Sequence, residues 1–488
     1  MLRRRVPAWL AWLALSLAGL AFAAGCATNP VTGRREFSLV SADRERQIGR
    51  EGHTAIVAEY GAYPDPALQA LVDSVGWKLA RVSELPGLDW HFTVLDDPVV
   101  NAFALPGGYI YVTRGILAHL NSEAQLAGVL GHEIGHVTAR HSAQRLTYQQ
   151  LAGVGLGLAS IFSEGFRRYS GAAETALGLV FLKYGRDDEN QADELGVRYS
   201  TAAGFDPREM PSTYAMLERV GERAGQRLPA FLSTHPDPGD RQARTTALSR
   251  EAAAGRKGLV IAGHTYVQAL EGVAYGNDPR QGFFDGARYY HPTLQFQMAF
   301  PAGWKYQNGR AEVLAVAPGE RAGMQLTLAD TRGLAPAAYV ADLQARGSVV
   351  AAGGAEPIGT FDAWVGRLQT RAQDGSQVVM AAAFVRKAAD QTFQILGRSA
   401  ATGDADERAI FTSARSFRAL ADPARLEVTP DHVHLVTVDA AGSFADVVRR
   451  QSAQAIGLDE TAILNNAQPD ENLRAGQLLK IVLPGKRP

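Results

Sequence analysis

One cysteine stands in 488 residues. A lone thiol forms no internal disulfide, so the fold does not depend on an oxidising compartment. Neither sign of charge is in excess: 49 Lys plus Arg face 50 Asp plus Glu, a formal net charge of -1. That balance removes the electrostatic argument for a nucleic-acid partner. Long apolar runs are missing beyond the N-terminus. Residues 151–162 (LAGVGLGLASIF) and 172–182 (AAETALGLVFL) are apolar and glycine-bearing, but each falls short of the ~20 residues that cross a bilayer. Both read as core helices, with a lid over the cleft or a membrane-grazing hairpin as the alternative. With 46% hydrophobic and 20% charged residues the body is ordinary globular material, and its length calls for two to four domains.

The place of the cysteine carries more than its number. Residues 1–25 begin with Arg3, Arg4 and Arg5, continue through an uncharged run with Trp9, Leu10, Trp12, Leu13 and Leu15, and end in Ala23-Ala24-Gly25. This reads as a secretory signal peptide. Small residues directly before Cys26 resemble a bacterial lipobox, with cleavage before that residue and lipid attached to its thiol, although Ala23 stands where such boxes usually carry leucine. The expected location is the bacterial cell envelope: periplasmic and lipid-anchored, with Ala27 fitting the outer membrane. Residues 26–40, polar and turn-rich, read as a tether.

What is present centres on Gly131-His132-Glu133-Ile134-Gly135-His136. Histidines four residues apart on an α-helix lie about 40° apart around the axis and about 6 Å along it, close enough to share one ion. Glu133 follows the first of them, which in an H-E-x-x-H helix sets a carboxylate where it takes the proton of an activated water. Zinc is the expected ion. The spacing predicts a helix from Ser122 toward Arg140, with Leu126, Val129 and Leu130 along it. A metzincin would carry glycine and histidine where this chain has Ala139 and Ser142, so that subclass is excluded. His141, five residues past His136, falls on a different helix face and reads as structural or solvent-facing.

Upstream, residues 41–60 and 66–81 read as amphipathic helices, and residues 89–95 and 108–114 alternate as strands. Between those strands lies Asn101-Ala102-Phe103-Ala104-Leu105-Pro106-Gly107-Gly108. A proline and two glycines before a strand suit a sheet edge or a plain loop. Downstream, residues 186–196 form a helical stretch dense in carboxylates, in which Asp187, Asp188, Glu189, Asp193 and Glu194 are all open candidates for a third ligand. A further helix over 207–221 is followed by FLSTHPDPGDR at 231–241. That segment sets His235 and Arg241 at a loop-to-helix junction, with Asp240 or Gly239 as the cap of a helix running through Glu251.

Taken together, NAFALPGGYIYVTRGIL, GHEIGHVTARH, ENQAD and STHPDPGDR resemble, in order and spacing, the gluzincin zinc metallopeptidases that include CAAX prenyl proteases, HtpX and periplasmic BepA. CATNPVTGR at 26–34 looks like the mature start of their secreted lipoprotein branch, and the resemblance covers roughly residues 26–255. It implies one zinc ion (Zn2+) per chain held by His132, His136 and Glu189, with Asp193 behind the histidines and Glu133 as general base. Three protein ligands leave one position open, the arrangement of a catalytic zinc. His235 and Arg241 match the residues that help bind the oxyanion. In some periplasmic members that histidine instead coordinates zinc and holds the enzyme off, and both roles stay open for His235. The edge strand pairs with extended substrate, which makes Asn101, Ala102, Phe103, Gly107 and Gly108 the expected substrate-binding residues.

Past residue 255 the composition changes. Strand-like runs at 294–300, 324–328, 363–372, 378–385 and 392–397, with helices at 335–346 and 404–417, read as a separate α+β accessory domain over 280–420, its F-P-x-G-W turn faintly similar to PsbP-like modules. Residues 421–430 read as a linker. Residues 431–488 read strand-helix-helix-strand and resemble a LysM domain, a type that binds peptidoglycan-like glycans, with its opening G-D-T motif degraded to Ala441-Gly442-Ser443. The expected fold class is therefore α+β: a mainly helical zincin domain at 41–255 with a small edge-stranded sheet, then the α+β and LysM-like βααβ units. The expected function is hydrolysis of peptide bonds in envelope proteins, with protein or peptide substrates, a membrane partner through the lipid anchor and peptidoglycan as a further partner. The alternative is a chaperone-like or cell-wall-binding assembly factor with a latent, self-inhibited zinc site.

Overall fold

A computed structural model describes residues 26–151, 171–224, 230–236, 238–371, 376–451 and 453–487. The expected signal peptide and nearly all of the apolar run at 151–162 lie outside the described residues. The stretch expected as a tether is instead a hairpin of β1 (Cys26–Thr28) and β2 (Arg35–Phe37). Its turn is closed by Asn29, whose Oδ1 accepts from Val31 N at 2.9 Å. The Asn29 amide in turn donates to Ala139 O at 3.1 Å, fastening the hairpin to the body, and Val40 is buried.

Helix α1 (Ala42–Tyr60) is capped by Ser41 and α2 (Pro66–Ala80) by Asp65, with Pro66 in its first turn where the missing N–H costs nothing. Strands β3 (His91–Leu95), β4 (Ala102–Leu105) and β5 (Tyr109–Thr113) form a sheet in the order β3-β5-β4, with β3 parallel and β4 antiparallel to β5. The segment that the sequence left between loop and edge strand is thus the edge strand β4. After the short α3 (Arg114–His119) comes α4 (Glu123–Thr138), capped by Ser122 Oγ on Gln125 N at 3.1 Å. Every residue of α4 from Ala124 to Thr138 is buried, so it runs through the core rather than along a surface. Leu126, Leu130 and Ile134 are fully enclosed, each contributing about 1.5–3 kcal/mol of apolar burial. Helices α5 (His141–Leu151), α7 (Arg186–Ala202), α8 (Met210–Ala224) and α11 (Gly263–Gln268) pack on α4, α6 (Gly171–Leu179) packs on α1, α9 (Ala230–Thr234) sets Phe231 in the apolar cluster of α4, and α10 (Pro238–Ala253) packs on α7 and α8. Gly239 and Asp240 lie inside the first turn of α10 rather than before it.

A two-residue strand, β6 (Ala274–Tyr275), leads out of this region. Next come β7 (Phe283–Asp285), β8 (Arg288–His291), β9 (Phe296–Ala299), β10 (Lys305–Asn308), β11 (Glu312–Val316), β12 (Gly323–Ala329), α12 (Pro336–Ala345), β13 (Val350–Ala355), β14 (Asp362–Arg371), β15 (Gln377–Ala388), β16 (Gln391–Arg398), α13 (Ala405–Arg415) and β17 (Arg418–Ala419). They make an antiparallel sheet, β10-β11-β12-β16-β15-β14-β13, beside a smaller one, β17-β9-β8-β7. Strands β10, β11 and β13 had no reading in the sequence: β10 (KYQN) is polar and β13 (VAAGGA) glycine-rich, so neither shows the apolar alternation of a half-buried strand, and β11 (EVLAV) is a five-residue apolar run whose period is too short to assign.

The expected linker holds α14 (Pro423–Leu426), capped by Asp422. Beyond it, β18 (Asp431–Thr437), β19 (Gly442–Ser443), α15 (Phe444–Arg450), α16 (Leu458–Leu464), β20 (Asn472–Leu473) and β21 (Leu478–Leu483) complete the chain. Strand β18 pairs with β21 on one side and β6 on the other. Val433, Ile463, Leu464 and Val482 join the apolar cluster that contains Leu126 and Leu130. The fully buried Lys480 Nζ donates to Ala118 O at 2.6 Å and Leu120 O at 2.7 Å. The C-terminal unit therefore grips the turn that leads into α4. The fold class is α+β, as the sequence indicates.

Candidate metal centre

Two helices bring the chemistry together. Glycine faces small residues where α4 crosses α7: a Cβ at Gly131 would meet Gly196 Cα and O at 3.2 Å, and one at Gly135 would meet Ala192 Cα at 3.2 Å. This close crossing sets Glu189, in the first turn of α7, against the two histidines of α4. Glu189 Oε1 lies 3.5 Å from His136 Nε2 and Oε2 lies 3.6 Å from His132 Nε2, while the two Nε2 atoms are 3.0 Å apart. His235 follows α9 and turns Nδ1 to within 2.9 Å of Glu189 Oε1 and 3.3 Å of His132 Nε2. The ligand atoms of His132, His136, Glu189 and His235 all lie within 4.8 Å of one another, and all four residues are buried. Imidazole nitrogens and a carboxylate at this spacing fit one zinc ion.

The surroundings fix which atom each histidine offers. His132 Nδ1 is 3.0 Å from Asp193 Oδ1, so its proton sits there and Nε2 presents a lone pair. Asp193 also accepts from Arg241 Nε at 2.9 Å and from the Tyr214 hydroxyl at 2.6 Å. Burial, then the Arg241 charge, pushes His132 down to about 3 and keeps the imidazole neutral. Burial by itself would raise both carboxyls of α7. The charges of His235 and Arg241 overcome it at Glu189, and the Arg241 guanidinium overcomes it at Asp193, so both stay ionised well below the usual carboxylate range. Glu133 is the contrast. Its two carboxylate oxygens are buried without a hydrogen bond among the described residues, and desolvation pushes it up to about 7. His235 Nε2 stands 3.8 Å from its Oε1.

Seven expected residues therefore converge: His132, Glu133, His136, Glu189, Asp193, His235 and Arg241. Of the five carboxylates left open by the sequence, Glu189 is the one placed among the histidine nitrogens and Asp193 the one bonded to His132. Asp187 is exposed, Asp188 accepts from Gly185 N at 3.1 Å at the start of α7, and Glu194 pairs with Arg244. Arg241, expected at the oxyanion, spends its guanidinium elsewhere: Nη1 is 2.8 Å from Glu189 Oε2, Nη2 donates to Asp193 and Tyr214, and the group sits 4.4 Å over the Tyr214 ring. His141 is not solvent-facing. The helix breaks at Arg140, φ 60°, and folds His141 back until its Nδ1 is 2.8 Å from His136 Nδ1. Tyr184, whose ring stacks on His136 at 4.0 Å, and Tyr214 had no signal in the sequence, since neither lies in a spaced motif.

Along the expected substrate edge the residues divide. Strand β4 is the last strand of its sheet and packs on α4, and Asn101 Oδ1 is buried without a hydrogen bond among the described residues. Ala102 belongs to the apolar cluster around α4, whereas Phe103 stacks on Tyr111 at 4.8 Å on the opposite face, toward α1 and α6. Gly107 and Gly108, at φ 86° and 97°, make the β4–β5 turn, where a Cβ would strike Arg46 Cα at 2.9 Å or Asp89 O at 2.8 Å. Their glycine identity serves the turn.

Comparison with known proteins agrees with this geometry. Residues 66–249 match Peptidase family M48, a span that holds all seven converging residues. The chain is 31% identical over 217 residues to the mitochondrial metalloendopeptidase OMA1 of Schizosaccharomyces pombe, covering 42% of this chain and 61% of that protein. It is 30% identical over 236 residues to the beta-barrel assembly-enhancing protease of Escherichia coli K12, covering 46% and 47%. With the human mitochondrial metalloendopeptidase OMA1 it shares 27% over 256 residues, 48% of each. The chain thus spans about half the length of the curated relatives it matches.

Proposed function

We propose, from that match and from the converging donors, that this chain is a zinc-dependent endopeptidase in which Glu133 is the general base. The observation that carries the reading is the pairing of a two-histidine, one-glutamate donor set with a neighbouring carboxylate that has no hydrogen bond among the described residues. Bound zinc polarises the scissile carbonyl and lowers the pKa of water from ~16 to ~7. Glu133, whose carboxylate oxygens are buried without a hydrogen bond among the described residues, accepts the water's proton and then delivers it to the leaving amine. His235 Nε2, on the same side as Glu133, is the donor available to the developing oxyanion, a contribution of ~3–4 kcal/mol in other hydrolases. Arg241, already engaged by Glu189 and Asp193, positions those carboxylates. An extended peptide would pair along β4, the last strand of its sheet among the described residues, beginning at the buried Asn101 and Ala102.

The finer reading extends to envelope proteins as substrates, in quality control or processing, with the chain anchored through lipidated Cys26 and the C-terminal unit in contact with glycan. One observation favours the second reading, an assembly factor with a latent site. His235 Nδ1 already stands among the ligand atoms, and as a fourth ligand it would close the position that substrate needs. Zinc content and casein cleavage of wild type, Glu133→Gln and His235→Ala separate these. Bound zinc with cleavage lost in Glu133→Gln and raised in His235→Ala supports a restrained peptidase. Loss in both variants makes His235 catalytic, and zinc without cleavage in any variant favours the assembly factor.

A further inference from the structure

We propose that His141, backed by Gln191, is the positioning residue that fixes the tautomer and in-plane orientation of His136. The proposal rests on the reading of His132, His136 and Glu189 as a zinc site. Two imidazole nitrogens 2.8 Å apart hold one proton between them, and the next bond decides which ring owns it. His141 Nε2 is 2.9 Å from Gln191 Oε1, and Asp188 Oδ1 lies 4.0 Å from the same nitrogen. Both oxygens only accept, so the His141 proton is on Nε2 and its Nδ1 is an acceptor. His136 must then donate from Nδ1. Its Nε2 is left with a lone pair aimed at the point shared by His132 Nε2 and Glu189 Oε1.

The backbone is built to make this contact. On a continuous helix, residues five apart point ~140° away from each other. Arg140 interrupts the helix in the left-handed region, a conformation that costs a non-glycine residue about 1 kcal/mol or more. Its side chain is tied down in compensation, by Nε on Glu45 Oε1 at 2.8 Å and Nη2 on Val40 O at 3.0 Å. Tyr184 stacks on the His136 face and limits tilt, but a stacked ring still rotates in its own plane; the His141 bond stops that rotation. Helix α7 thus orients both histidines: Asp193 holds His132 directly and Gln191 holds His136 through His141.

The test measures zinc affinity of the full chain by chelator competition, the visible spectrum of the cobalt-loaded form, and melting without metal. His141→Leu removes the acceptor and is expected to weaken zinc by about 10–100-fold and to shift the cobalt bands. His141→Asn, whose side-chain oxygen can accept from His136 Nδ1, should recover most of that loss. Gln191→Leu should weaken zinc by a smaller factor and add nothing in the His141→Leu background, because both act through one chain of bonds. Zinc affinity within twofold of wild type in a folded His141→Leu protein would overturn the proposal, as would full additivity of the two changes. Should His141→Leu fail to fold, Gln191→Leu decides: weakened zinc with unchanged metal-free melting supports the relay, and unchanged zinc overturns it. A wild type that binds no zinc would overturn the metal reading itself, and this proposal with it.

Discussion

Replacing Gly131 by alanine sets two effects of known size against each other. In a helix interior alanine is favoured over glycine by about 0.8–1 kcal/mol, so an unhindered substitution stabilises. At Gly131 the new methyl would sit 3.2 Å from Gly196 Cα and 3.2 Å from Gly196 O, which are backbone atoms of α7 with no rotamer to yield. Relief requires the helices to part by a few tenths of an ångström, and overpacking of this kind costs about 1–3 kcal/mol. The net expectation is a loss of about 0–2 kcal/mol in the metal-free protein. Separation at this crossing also carries Glu189 away from His132 and His136, which it now approaches at 3.6 and 3.5 Å. Zinc affinity should therefore fall, so that the variant loses more stability with zinc than without it. Gly128, nearly one turn earlier on α4, is the control: its Cβ would meet Met210 Cβ and Cγ at 3.1 Å, atoms of α8, which carries none of the metal-site donors. Gly128→Ala should cost a similar amount of stability but leave zinc affinity unchanged. Denaturant unfolding with and without saturating zinc reads both quantities. A Gly131→Ala protein stabilised by the full helix-propensity gain, with zinc affinity intact, would refute the claim that this crossing sets the ligand geometry.

Three further outcomes are expected. Asp193→Ala leaves the buried Arg241 guanidinium short of its main partner and should destabilise the metal-free protein by about 3–5 kcal/mol in denaturant unfolding; a loss under 1 kcal/mol would mean that Glu189 alone satisfies Arg241. Burial holds Lys480 well below the usual lysine range, so its stabilising share is complete above about pH 10.4 and is lost as pH falls toward the depressed value. The rise in unfolding free energy from pH 7 to 10 should be smaller in Lys480→Met than in wild type, and equal slopes would show that Lys480 stays charged on its two carbonyls. Deleting residues 421–488 removes Val433, Ile463, Leu464 and Val482 from the core around α4. At about 1.5–3 kcal/mol each, or about 6–12 together, this rivals the 5–15 kcal/mol that holds a domain folded; an unchanged melting temperature would show that the C-terminal unit is a passive appendage.

The sequence by itself determined what depends on near neighbours along the chain. The pairing of His132 and His136 follows from helix pitch, Glu133 is placed by adjacency, and Ser122, Asp65 and Ser41 start their helices through bonds that span two or three residues. Its motifs also anticipated Glu189 and Asp193, though through resemblance to a family, since five carboxylates within one helix are indistinguishable by spacing. Tertiary structure decided among them because only the glycine-lined crossing of α4 and α7 fixes which carboxylate reaches the histidines. The same distance-dependence hid the roles of His141, Arg241 and Tyr214. A helix wheel puts His141 out of reach of His136, and the left-handed turn at Arg140 reverses that. Arg241 lies far along the chain from the carboxylates it holds, so no local pattern could assign its nitrogens. The burial of Lys480 against the turn before α4 is of the same kind: a charged residue on a strand reads as solvent-facing until the surface that covers it is known.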